Sequence, residues 1–189
     1  MHFEINKVSW FPTDVFYLKI DEKFCNKIEE KVLLDKQNWS KGLENVNALT
    51  SGWDGLEKYS ELQEISNFIC QNILIKIGES QNWKYNNWSI REAWINFYKK
   101  EDFAEIHTHG SADFCGVLII LPGNGNLKFS RTEAVEQKTK KFMNIYDEKI
   151  NEEKGSLILF PSYLYHQVEN CVGDRISIAM NFINNELSV

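Results

Sequence analysis

Phe114-Cys115-Gly116-Val117-Leu118-Ile119-Ile120-Leu121, then Pro122, Gly123-Asn124-Gly125-Asn126 and Leu127-Lys128-Phe129-Ser130, is the stretch whose reading decides the fold. Phe114 to Leu121 reads as a strand, because β-branched and aromatic side chains suit a pleated, half-buried surface. The Gly-Asn-Gly-Asn tract is a strong turn signal, and Asn126 to Ser130 reads as the next strand. Working outward, Trp88 to Tyr98, Glu105 to His109, Ser156 to Phe160 and Arg175 to Phe182 carry the same signature. Many short strands closed by turns predict a sandwich or barrel.

Upstream, helices are expected. Trp10 to Ile20 reads as a first strand, and Asp21 to Leu34 as a helix with Phe24, Ile28 and Val32 one turn apart. Asp35 to Glu57 is polar and irregular. Ser60 and Gln63 form a capping-box pattern ahead of the stripe Leu62, Ile65, Ile69 and Ile73, with Gly78 as a terminator. The charged stretch Arg131 to Lys154 has no clean period. It holds either one strand near Lys141 to Tyr146 or a lid. The expectation is a mainly β chain with flanking helices, of double-stranded β-helix type (jelly roll, cupin-like). It is read as a single domain over 1–189, with 1–87 as strand plus helical support and 88–189 as the jelly-roll core.

With 189 residues, the chain is long enough for a full core. Its 21 basic and 27 acidic residues leave a net charge of −6 and no basic block, which argues against a nucleic-acid surface. The longest apolar run, Val117 to Pro122, is too short to span a membrane. Met1-His2-Phe3-Glu4 lacks the basic flank and apolar run of an export signal. Cys25, Cys70, Cys115 and Cys171 show no CxxC spacing, so free thiols in the cytoplasm are expected. Oligomeric state is not legible.

Three of the four histidines fall in two places able to converge, His107-Thr108-His109 and His166. Residues two apart on a strand share a face and stand roughly 6–7 Å apart, which suits two imidazoles bending onto one ion. His166 follows a strand stopped by Pro161 and opens the next with Gln167-Val168. In the last strand Ile176, Ile178, Met180 and Phe182 face one way, while Arg175, Ser177, Ala179 and Asn181 face the other. The Arg175 fork can bind a carboxylate bidentately, with a hydrogen bond added by Ser177. Asn96, on one face with Trp94 and Tyr98, is a candidate for contacting cosubstrate or substrate.

These segments resemble a group of 2-oxoglutarate/Fe(II)-dependent oxygenases from bacteria and phages, distantly similar to prolyl hydroxylases. The match runs through Trp94-Ile95-Asn96, His107-Thr108-His109, Gly116-Val117, Gly125-Asn126-Leu127-Lys128-Phe129, Leu159 to His166 and Arg175 to Phe182. It reaches more loosely to Phe11-Pro12-Thr13 and Gly52-Trp53. The resemblance implies a double-stranded β-helix, Fe(II) held by His107 and His166, and 2-oxoglutarate as cosubstrate. It also implies that Arg175 and Ser177 hold the far carboxylate. The chain departs from the wider superfamily at the second ligand, where a carboxylate is usual and His109 stands instead. Either three histidines bind the metal, or Asp113 or Glu105 substitutes; three histidines are preferred, because His109 occupies the carboxylate slot. The primary substrate is not readable, and a peptidyl or prolyl group is suggested only by the distant kinship. The alternatives are a cupin-like metalloenzyme without 2-oxoglutarate and a non-catalytic jelly-roll binding module.

Overall fold

The computed structural model describes residues 5–10, 13–42, 45–130 and 152–186. The strand expected near Lys141 to Tyr146, and the lid over Arg131 to Lys154 up to residue 151, lie outside them. Twelve strands are described: β1 Asn6–Trp10, β2 Thr13–Lys19, β3 Ser40–Lys41, β4 Val46–Asn47, β5 Leu49–Thr50, β6 Trp88–Tyr98, β7 Phe103–His107, β8 Phe114–Leu121, β9 Leu127–Ser130, β10 Ser156–Pro161, β11 Tyr165–Val168 and β12 Arg175–Asn184. Helices α1 Glu22–Asp35, α2 Gly55–Lys58, α3 Ser60–Phe68 and α4 Ile75–Ser80 precede β6.

The strands form a large sheet in the order β1-β2-β10-β8-β12-β6-β5-β3 and a small one in the order β4-β7-β11-β9. From β6 to β12, successive described strands alternate between the two sheets, and each observed pairing is antiparallel. That alternation winds the chain into the expected double-stranded β-helix.

Two apolar cores follow from the period of two along each strand. Ile176, Ile178, Met180 and Phe182 of β12 pack outward against Ile28 and Val32 of α1 and against Leu62, Ile65, Ile69 and Ile73. Tyr98, Ile119, Phe129, Ile158 and Phe160 fill the space between the sheets. α1 is capped by the Asp21 side chain, which accepts from the Lys23 amide at 2.8 Å. Glu61, buried between helices, accepts from Lys31 at 2.6 Å and pairs with Lys27 at 3.1 Å.

Several local expectations need correction. The first strand is preceded by another, β1, with which it forms a hairpin. Asp35 to Glu57 is not irregular throughout. It carries a short 3-10 turn, β3, β4, β5 and the start of α2, but each strand is two residues long, too short to display a period. Ser60 does not act as the capping residue: it is the first residue of α3, and Tyr59 sits at the cap without a side-chain bond. Nor does Gly78 end the second helical run. That run passes through a wide-turn segment, Ile69–Leu74, and continues to Ser80, where Asn82 takes the left-handed conformation (φ 54). Gly78 instead makes room for Asn86, whose Oδ1 lies 2.4 Å from where a Cβ would be.

Candidate metal and cosubstrate site

β6 and β12 pair so that their inward faces form a ladder of four opposed residues. Tyr98 faces Arg175, Asn96 faces Ser177, Trp94 faces Ala179 and Glu92 faces Asn181. Arg175, Ser177, Asn96 and Asn181 are all buried. A polar ladder inside a barrel costs free energy unless it is paired or meets a ligand.

The three histidines gather near the Asn181 end. His107 is the last residue of β7 and stands opposite His166 of β11. His109 lies two residues past the end of β7, not on the strand as expected; the loop is held by its amide donating to the Ser162 carbonyl at 3.0 Å. One ring nitrogen from each imidazole lies within 4.8 Å of the others. Their ring centroids are 5.2, 4.4 and 5.0 Å apart. Phe160 packs edge-on against His166 at 4.7 Å and fixes its ring.

Hydrogen bonds settle the tautomers. His107 Nδ1 lies 2.6 Å from the Glu105 carbonyl, and His166 Nδ1 lies 2.9 Å from the Leu164 carbonyl. A carbonyl oxygen only accepts, so both Nδ1 atoms carry hydrogen. His109 Nδ1 lies 2.6 Å from Asn181 Oδ1. Asn181 is oriented by its Nδ2, which donates to Glu92 Oε1 at 2.7 Å, so His109 Nδ1 also donates. Three Nε2 lone pairs are left for a metal, with each ring held from behind as metal-binding imidazoles usually are. Burial, with the neighbouring imidazoles, holds His109 down to about 4 and His166 well below the usual range. His107 is lowered by burial. The set is therefore neutral at pH 7, as ligation requires.

The carboxylate alternatives are committed elsewhere. Asp113 Oδ2 accepts from the Asn184 amide at 2.8 Å, and Glu105 is exposed. Neither is part of the histidine group.

Arg175 is fully buried. Its Nη1 donates to the Gly125 carbonyl at 2.6 Å, to the Pro122 carbonyl at 3.2 Å and to the Glu152 carboxylate, which also accepts from the Leu127 amide. Its Nε and Nη2 have no partner among the described residues. A guanidinium pinned at one corner and orphaned along its Nε–Nη2 edge is a fork suited to an incoming carboxylate. Burial raises the Tyr98 phenol opposite it, so this hydroxyl stays protonated and able to donate. The donor set therefore fits both a divalent metal and an acidic cosubstrate.

A cavity of about 380 Å³ opens beside this site, lined by Trp53, Glu92, Trp94, Asn96, His107 and His109 among others. Asn96 is legible in the sequence as a site candidate, whereas the parts played by Asn181, Glu92, Tyr98 and Glu152 emerge only from the fold. For Asn181 a signal existed, since it alternates in register with Arg175 and Ser177. Glu152 carried none in its charged surroundings.

Residues 92–181 match the model of a family described as "Putative 2OG-Fe(II) oxygenase". No curated protein matches the chain in sequence. Among solved structures the chain is similar to a Pseudomonas putida prolyl-4-hydroxylase, at 12% identity and TM-score 0.66, over 96% of this chain and 92% of that one. It is also similar to a Trichoplax adhaerens prolyl hydroxylase in complex with a hypoxia inducible factor peptide fragment, at 14% and 0.65, over 92% and 87%. A third is HygX from Streptomyces hygroscopicus with nickel and 2-oxoglutarate bound, at 9% and 0.64, over 90% and 83%. The matched segment begins at Glu92 in β6 and ends at Asn181 in β12, so it spans every strand that contributes to the ladder and the histidine group. In that segment the sequence is similar to that of Fe(II)/2-oxoglutarate-dependent dioxygenases, and over nearly its whole length the chain shares their fold.

Proposed function

We propose that the protein is an Fe(II)-, O2- and 2-oxoglutarate-dependent oxygenase that hydroxylates a C–H bond, with a peptidyl or prolyl group as one candidate substrate. One observation carries the reading: one barrel holds both three clustered imidazoles and a buried Arg175 edge with no partner among the described residues. His107, His109 and His166 would hold Fe(II) through Nε2. Arg175 would grip the far carboxylate of 2-oxoglutarate through Nε and Nη2, with Ser177 and Asn96 donating nearby.

Fe(II) and 2-oxoglutarate together supply the oxidising power, turning O2, 2-oxoglutarate and R–H into succinate, CO2 and R–OH. The chain's own residues supply placement. Glu152 and the Pro122 and Gly125 carbonyls fix the guanidinium plane, so the cosubstrate is aimed rather than merely attracted. The Asn181–Glu92 pair holds His109 in the tautomer that ligates. Leu127, Phe129, Ile158 and Phe160 keep bulk water from the barrel interior. The prolyl candidate draws support from the resemblance to prolyl hydroxylases, one of them complexed with a peptide.

The test is an anaerobic titration of Fe(II)-loaded protein with 2-oxoglutarate, following the visible metal-to-ligand charge-transfer band, with Arg175→Ala alongside. A saturable band that needs iron and is weakened by the substitution is expected. Tight iron binding without a band would sink the 2-oxoglutarate assignment, leaving a cupin-like metalloenzyme. A normal band without succinate formation on exposure to O2 would point to a binding module.

A further inference from the structure

We propose that the cavity beside His109 takes a cationic group of the primary substrate, an ammonium or guanidinium as on a lysyl or arginyl side chain, between Glu92 and the corner made by Trp53 and Trp94. This rests on reading the cavity as the substrate side of the oxygenase site.

Glu92 is the single acidic residue among the described residues that line the cavity. It uses Oε1 to accept from Asn181 and has no ion pair among the described residues. The other nearby acid, Asp54, is already paired with Lys58 at 2.9 Å. Arg91, the extra residue where β6 bulges against β12, is exposed and donates to the carbonyl of Ser111 at the cavity's rim, at 2.8 Å. Lys41 also lines the cavity, but at its far end. Ser40 pairs with Thr50, and Thr50 with Asn96, which sets Lys41 level with Phe97. That is five residues along β6 from Glu92, roughly 16 Å at strand spacing. A half-buried carboxylate without a cation is an invitation to a cationic ligand.

The aromatic wall points the same way. Trp53 is 51% exposed, and among the described residues it is the only tryptophan with an exposed side chain. Its ring meets Trp94 at 4.5 Å and 63°, and Trp94 lies near-parallel to His109 at 5.8 Å. Two indole faces set at an angle attract a cation more than a neutral group of equal size. Glu92 is two hydrogen bonds from the His109 ring, through Asn181. A cation seated on Glu92 would lie in the same cavity that His107 and His109 line. The protein's net charge of −6 favours approach of a basic substrate.

The test is calorimetry on Zn(II)-loaded protein, which binds without turnover. The probes are Nα-acetyl-lysine methylamide and Nα-acetyl-arginine methylamide, with the norleucine and glutamate analogues as neutral and acidic counterparts. Saturable binding of both cations is expected, with norleucine at least tenfold weaker and glutamate weaker still. Glu92→Gln should weaken the cations tenfold or more, and Trp53→Ala severalfold. Binding should also weaken as salt rises. Equal affinity for norleucine and lysine, or cation binding indifferent to both substitutions, overturns the proposal. Trp53 is exposed, so its variant decides the matter even if Glu92→Gln misfolds. The readout needs neither iron nor O2. A charge-transfer band without cation binding removes this proposal alone, and cation binding without a band keeps the cation site but removes the oxygenase reading that makes it a substrate site.

Discussion

Asn181 holds His109 from behind, its Oδ1 2.6 Å from the ring Nδ1, and is itself locked by Glu92. Because the carboxylate can only accept, the amide cannot flip, and His109 has one tautomer available. Asn181→Ala removes this constraint, and metal affinity should fall by about 10- to 100-fold, the usual cost of losing an outer hydrogen bond to a ligand. Asn181→Asp keeps an acceptor but faces Glu92 with a second negative charge, so it should rescue little. Competition for Co(II) or Zn(II) against a chelating dye measures both. Unchanged affinity in Asn181→Ala would show that the loop alone orients His109.

Arg175 and Glu152 form a buried ion pair, with side chains 0% and 3% exposed. Removing one partner strands the other charge, at a cost of about 3–5 kcal/mol. Arg175→Met should therefore lose stability as well as 2-oxoglutarate binding. The double variant Arg175→Met/Glu152→Gln should recover most of the stability in urea unfolding and none of the charge-transfer band. Recovery of the band would mean the guanidinium edge is not the carboxylate site.

Strand-favouring residues bounded by turn signals made the barrel legible, because β6, β8, β10 and β12 are long enough to carry them, and β12 alternates as well. The two-residue strands β3 to β5 were not, since two positions cannot show a period. The wide-turn stretch in the second helix was also hidden: the apolar stripe continues through it, and Ile69 and Ile73 are fully buried. Histidine scarcity pointed to His107, His109 and His166, although His109 arrives from a loop whose course depends on Ser162. The supporting partners were harder to see. Glu92 and Asn181 are 89 positions apart and Glu152 and Arg175 23, and only the fold brings them together.

The histidine group sets a pH limit. Burial and the neighbouring His107 imidazole lower His109 to about 4, while an unfolded imidazole titrates near 6.5. Between those values the unfolded chain binds more protons, so stability is intact above pH 6.5 and declines as pH falls towards 4. For His109 alone this amounts to about 1–2 kcal/mol between pH 7.5 and 5, discounted for its partial exposure. His109→Gln should flatten that part of the slope in metal-free protein. Identical slopes for the two proteins would show that folding does not shift the titration of His109.

Gly55 opens α2 directly against β6, and the chain there admits no side chain. A Cβ would lie 2.4 Å from the Ala93 carbonyl oxygen, 3.0 Å from Leu62 Cδ1 and 3.2 Å from Trp94 Cα. The first of these is backbone in the middle of a sheet and cannot step aside. Gly55→Ala must instead push α2 outward, costing about 1–3 kcal/mol as other overpacked sites do. Trp53 lies two residues before Gly55, so the same displacement should disturb its contact with Trp94 and weaken cation binding severalfold in calorimetry. Gly110→Ala is the matched control, because a Cβ there meets nothing within 4 Å although the residue also lines the cavity. Its stability should stay within about 0.5 kcal/mol of the parent. If Gly55→Ala proves as silent as Gly110→Ala, the packing of α2 on β6 is not what sets the tryptophan corner.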